Sequence, residues 1–125
     1  MHVCKKLAHL KMSKHLLTHK KKHWNMKKVY LSGKMSHLDE EVYKQKFAEA
    51  AMKALELFPG EQIEFVNPAT LPVVCNTWAD FLILDLMYLK DCDAIVMLDN
   101  WKDSKGAIVE HDFAVGCGIA IHYLA

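Results

Sequence analysis

Arginine is absent from this 125-residue chain; all 16 of its Lys-or-Arg positions are lysine. Arg is the usual bidentate ligand for phosphate and guanine, so a nucleic-acid reader is not expected. Cysteines are few and scattered at Cys4, Cys75, Cys92 and Cys117, no two within four residues. That spacing writes no local metal knuckle or redox pair. Isolated Cys in apolar surroundings point instead to buried, reduced thiols and a cytoplasmic setting. No apolar run is long enough to span a bilayer, the best candidate being broken by Asp85, so no membrane partner is expected. Two nucleotide fingerprints are also missing. No G-x-G-x-x-G follows the first predicted strand and no Walker A sequence occurs.

What is present is ordinary for a globular domain: 52% apolar and 25% charged residues, enough for a single core. The net charge of +1 hides a split. Residues 1–25 carry seven Lys and no acid, whereas residues 26–125 carry nine Lys against all fifteen acids, a net −6. The first 25 residues read as a basic, Lys- and His-rich extension without the apolar run of a secretory signal. His15 and His19 are four apart and could share a helical face, but a solvated basic leader that meets metal only adventitiously explains them better. The domain itself is expected over residues 26–125, with Met26 as a natural start.

The chain from Met26 alternates strands and helices. Lys27 to Gly33 predicts a first strand and turn, with Val29, Tyr30 and Leu31 as strand formers. Acids at Asp39, Glu40 and Glu41 suit the first turn of a helix whose inner stripe is Tyr43, Phe47, Ala50, Ala51, Ala54 and Phe58, and Pro59-Gly60 stops it. Gln62 to Asn67 predicts a second strand, parallel to the first. Thr77 to Asp80 resembles a capping box opening an apolar helix to about Leu89. Asp93 to Asp99 predicts a strand covered on both faces, and Ile119 to Leu124 a last one, with His122 as a core or edge histidine. The expected fold is α/β: a small Rossmann-like, flavodoxin-like, doubly wound parallel sheet of about four strands in the order 2-1-3-4. Ligands of such sheets sit where the strand order reverses, which puts Ser32 to Met35 opposite the loop Asp99 to Ser104.

That loop and the helix after it carry the chemistry. Ser104 is a helix cap and Gly106 lets a ligand approach backbone, so the helix start is a ready anion site. Gly106, Ala107, Glu110, Ala114 and Cys117 form one stripe, on which only Glu110 is charged. Glu110 is either a helix-start acid favoured by the dipole or a working carboxylate, and spacing leaves both open. Asp85 shares a face with Phe81, Leu82 and Leu89. It is paired, exposed at a cleft, functional, or turned to solvent beside a partner chain.

The segments YLSGKM at 30–35, TWADFLILDLMYLKDCDAIVML at 77–98 and NWKDSKGAIVEHDFAVGCGIAIHYL at 100–124 resemble a bacterial and phage domain family of unknown function. That family is distantly related to nucleoside 2-deoxyribosyltransferases and 2′-deoxynucleoside 5′-phosphate N-glycosidases. The most specific part is W-x-x-S-x-G-A-x-x-E-H, here Trp101, Ser104, Gly106, Ala107, Glu110 and His111. The resemblance implies Glu110 as a nucleophile on the anomeric carbon, Asp85 as the second active-site acid and Ser104 as a 5′-phosphate ligand. It implies a substrate pocket that includes Tyr30, Gly33, Met35, Asp99, Trp101, Ser104, Gly106 and Ala107. Two departures stand out: Lys34 replaces the family's usual Pro, and Ile108-Val109 replaces a Gly-rich approach to the Glu.

The expected activity is therefore cleavage, or transfer, at the N-glycosidic bond of a (deoxy)nucleoside 5′-monophosphate by a retaining mechanism, without cofactor or metal. Hydrolysis is the first choice, because Ser104 suggests a phosphate ligand. The expected assembly is a homo-oligomer, dimer or larger, with Trp78, Met87 and Tyr88 of the apolar helix as outward contacts. A non-catalytic nucleotide-binding module, or a structural subunit in which Glu110 only caps and Trp101 sits in an interface, are the other readings. If residues 1–25 are dispensable, a chain trimmed to begin at Met26 retains its far-ultraviolet circular dichroism and cooperative melting; loss of either would make the extension part of the fold.

Overall fold

Val29, Tyr30 and Leu31 stand at the centre of strand β1 (Met26–Ser32), as their strand preference dictates. The computed structural model describes residues 26–72 and 75–124. The basic extension, with Cys4, His15 and His19, lies outside the described residues.

Helix α1 (Glu40–Ala54) follows, with Glu40 and Glu41 in its first turn, and a short 3₁₀ turn (Leu55–Leu57) extends it. Strand β2 (Gln62–Val66) ends one residue earlier than the sequence suggests. Asn67 leaves the ladder because its side chain accepts from the Ala69 N–H at 2.9 Å, capping a 3₁₀ turn over Pro68–Thr70. Helix α2 (Trp78–Leu89) starts at Thr77, whose hydroxyl accepts from the Asp80 N–H at 3.1 Å.

Strand β3 (Ala94–Met97) is shorter than the apolar run predicts. Asp93 precedes it, its carboxylate accepting from the Lys28 N–H at 2.8 Å, and Asp99 follows it in the loop. Helix α3 (Lys105–Cys117) begins at the Ser104 cap and closes at Gly118 in the left-handed region (φ 72°). The Ile119 N–H returns to the Ala114 carbonyl at 3.0 Å there, the usual device for satisfying a helix end. Strand β4 is Ala120–Tyr123.

The four strands pair in parallel in the order β2-β1-β3-β4, as the alternation predicts. The period of two along each strand sorts side chains onto the two faces. Val29, Leu31, Val96 and Leu98 meet Phe47, Ala50 and Ala54 of α1, together with Phe58. Tyr30, Ile95 and Met97 meet Leu89 of α2 and Ala107 and Ala114 of α3. The α3 stripe stops at Ala114: Cys117 is exposed, contrary to the expectation of buried thiols, because the helix is already turning away into its Gly118 cap. Cys92 is buried as expected. Burial lifts the Cys92 thiol to about 11, which keeps it protonated and unreactive near neutrality.

The strand order reverses between β1 and β3, and there the two following loops touch. Gly33 packs so closely that a Cβ on it would stand 2.8 Å from Leu98 and 3.1 Å from the Asn100 amide oxygen. The Lys34 N–H donates to that same Asn100 oxygen at 3.1 Å. Where the resemblance expects Pro, this chain thus uses an N–H that Pro lacks.

Candidate active site

A cleft of about 400 Å³ opens at this switch point. Its floor and one side come from Gly33, Met35 and the start of α3, including Ser104, Gly106, Ala107 and Glu110. Phe81, Leu82 and Asp85 of α2 form a second wall, and Tyr43 and Phe47 of α1 a third. The mixture of aromatic walls and a few convergent polar groups is the usual make-up of a small-molecule site.

Glu110 is the centre of this arrangement. It is only 5% exposed, and Tyr30 and Ser32 beneath it are fully buried. The placement follows from local periodicities. Tyr30 and Ser32 are two apart on a strand and share the face toward α3, while Ala107, Glu110 and Ala114 lie on the stripe of α3 toward the sheet. The Tyr30 hydroxyl donates to Glu110 Oε2 at 2.7 Å, and the Ser32 hydroxyl donates to Glu110 Oε1 at 2.6 Å. Both carboxylate oxygens therefore have a short hydrogen bond from the protein.

Asp85 faces the same carboxyl from α2. Burial pushes Glu110 up to about 8; the two hydroxyl donors oppose that rise and the neighbouring Asp85 adds to it. Burial likewise lifts Asp85, to about 6, while the neighbouring Glu110 carboxyl opposes that rise. The two acids titrate as a unit and hold one proton between them near neutrality. Tyr30 is raised well above its ordinary value, by burial first and then by the charge of Glu110, so it remains a donor.

The start of α3 is built as the cap demands. The Ser104 hydroxyl accepts from the Ala107 N–H at 3.1 Å. Gly106 leaves its cleft side open: a Cβ there would have only Ser104 and Trp78 side-chain atoms near 4 Å. Ahead of that capped N–H, those of Lys105 and Gly106 belong to the turn that an α-helix leaves without intrahelical partners, where an anion could be met.

Of the residues the sequence nominates, Gly33, Met35, Asp85, Ser104, Gly106, Ala107 and Glu110 all line the cleft. Tyr30 does not; it lies below, as a donor to Glu110. Asp99 is exposed and borders a separate shallow hollow with Lys46 and Lys53, since the chain leaves the sheet after Met97 and turns toward α1. Trp101 also lies off the cleft. Its ring stacks on His111 at 4.5 Å, and His111 Nε2 is 2.7 Å from the Tyr123 hydroxyl, so the indole fills the gap between α3 and β4. Ser32 is the residue the sequence reading passes over. Its signal was available: a polar side chain two residues after Tyr30, on a strand otherwise apolar at its buried end. Among the described residues, no group of three or more His, Cys, Asp or Glu is gathered to hold a metal, and no helix is long and apolar enough to cross a membrane.

Residues 27–123 match the family model described as Domain of unknown function (DUF4406). No curated protein matches the chain. Among solved structures, it is similar to a 2-desoxiribosyltransferase from Leishmania mexicana, at 17% identity and a TM-score of 0.51. The similarity covers 78% of this chain and 63% of that one, so the chain spans less than two thirds of that enzyme. At this identity the likeness establishes a shared fold.

The burial of Glu110 sets a dependence of stability on pH. A carboxyl raised in the folded state contributes stability that is complete below its ordinary value of 4.5 and is lost as pH rises through about 8. Glu110→Gln keeps the shape and removes the charge. The variant and the parent should therefore melt alike near pH 4.5, and the variant should melt several degrees higher at pH 8 to 9. Parallel melting curves at every pH would show that the carboxyl is not held up by burial.

Proposed function

The chain belongs to this family of unknown function, and from that footing we propose that it cleaves the N-glycosidic bond of a (deoxy)nucleoside 5′-monophosphate. The observation that carries the reading is the buried Glu110 faced by the half-buried Asp85, beside the open start of α3. The phosphate would sit at Ser104 and Gly106, where free N–H groups and the helix dipole favour an anion. The sugar would lie over Gly33, which has no side chain to obstruct it. The base would reach between the aromatic walls of α1 and α2.

In this reading the pair's single proton does the work. It passes from Glu110 to Asp85 when the substrate binds, leaving Glu110 ionised and Asp85 an acid. Glu110 attacks the anomeric carbon as the glycosidic bond breaks, and the base departs with the proton from Asp85. Water then attacks the same carbon and gives its proton to Asp85, which frees Glu110 and retains configuration. A second base in place of water would make the reaction a transfer. We favour hydrolysis because the anion end of the cleft suits a phosphorylated sugar.

One observation favours a rival reading, a non-catalytic nucleotide-binding module. Glu110 is nearly enclosed, with both oxygens already bonded, which suits a side chain that holds a sugar hydroxyl. Self-association completes the proposal: Ile83, Met87 and Tyr88 leave the outer side of α2 apolar and exposed, whereas Trp78, expected there too, lines the cleft. We place the protein in the cytoplasm, where its free thiols would stay reduced.

The test is base release from a panel of ribo- and deoxyribonucleoside 5′-monophosphates and the free nucleosides, read by chromatography. Glu110→Gln should lower it at least ~10³-fold. The rate should follow a bell between about pH 6 and about 8, where the pair holds one proton. Saturable binding without turnover across the panel would leave the binding module instead. Light scattering at micromolar concentration should give a mass of two chains or more, and a monomer would remove the self-association claim.

A further inference from the structure

We propose that Ser32 is a positioning residue which, together with Tyr30, fixes the Glu110 carboxyl from beneath and favours its charged form against Asp85. The proposal rests on the reading of Glu110 as the working carboxylate. Ser32 is fully buried, on a strand end where an apolar side chain would be the ordinary occupant. Its hydroxyl makes a 2.6 Å bond to Oε1, while Tyr30 serves Oε2 at 2.7 Å. Two donors on two oxygens fix the carboxyl in rotation as well as in place. A single donor would leave it free to turn about its last bond.

The charge consequence follows from who faces Glu110. The groups are Tyr30 and Ser32 from β1 and Asp85 from α2; Cys92 acts on Tyr30 and not on Glu110 directly. Asp85 disfavours a charged Glu110, and among the described residues the two hydroxyls oppose it. Ionised acceptors gain more from a hydrogen bond than neutral ones, so each hydroxyl supports the carboxylate. Tyr30 also fills the core between β1 and α3. Ser32 contributes little but its bond, which makes it the cleaner position to test.

The experiment compares the full chain with Ser32→Ala and Ser32→Cys. The first removes the hydroxyl, and the second retains the volume but is a weak donor. Carbon NMR of glutamate-labelled protein follows the Glu110 carboxyl through a pH titration, its signal identified by its absence in Glu110→Gln. Both variants should raise the Glu110 midpoint by roughly one to two pH units. A midpoint unmoved in both, whatever happens to the melting temperature, would reduce Ser32 to a space filler and overturn the proposal.

This readout needs no substrate, so it separates the two claims. A shifted midpoint with no base release anywhere in the panel keeps the positioning role and discards the glycosidic reading. Where base is released, Ser32→Ala should lower kcat at least ~10-fold with KM little changed, and should move the upper limb of the pH profile to higher pH. A change in KM with kcat intact would place Ser32 in substrate binding and overturn the proposal as well.

Discussion

A carboxyl buried between a strand and a helix costs free energy unless donors meet it, and this domain is arranged around meeting that need at Glu110. The donors must come from β1, because β1 is the strand beneath α3 at this point. They must be two residues apart, because only alternate positions face the helix. The helix must also lie close, which is why Ala107 and Ala114 flank Glu110 on the buried stripe. One charged side chain thus constrains the end of a strand, the register of a helix and the size of its neighbours.

The parallel sheet supplies the rest. Its order places the carboxyl ends of β1 and β3 side by side, with α1 on one face and α2 and α3 on the other. The cleft forms where those helices diverge, so its walls come from elements far apart in sequence. Gly33 and Asn100 hold the two loops together at its base. The acid pair is divided between α2 and α3, so a small relative movement of those helices would change how the proton is shared.

Much of this was legible in the sequence. Strand formers at 29–31, the stripe of α1, the caps at Thr77 and Ser104 and the alternation of elements were each written locally, and together they gave the strand order. Glu110 and Asp85 announced themselves as acids on apolar faces. What stayed hidden depended on contacts between distant segments. Tyr30 looked like a pocket residue, because its hydroxyl partner lies eighty positions away. Ser32 looked like the start of a turn for the same reason. Asp99 and Trp101 enter the pocket only through the family resemblance. Their side chains diverge from it because the backbone leaves the sheet and makes a 3₁₀ turn over Trp101–Asp103.

That turn leaves Trp101 stacked face to face on His111, the residue next to Glu110, with Tyr123 anchoring the imidazole from β4. An excited indole responds to the ring stacked against it. The emission of Trp101 therefore carries a built-in optical record of the loop that ends at Ser104, one residue removed from the acid pair and needing no attached dye.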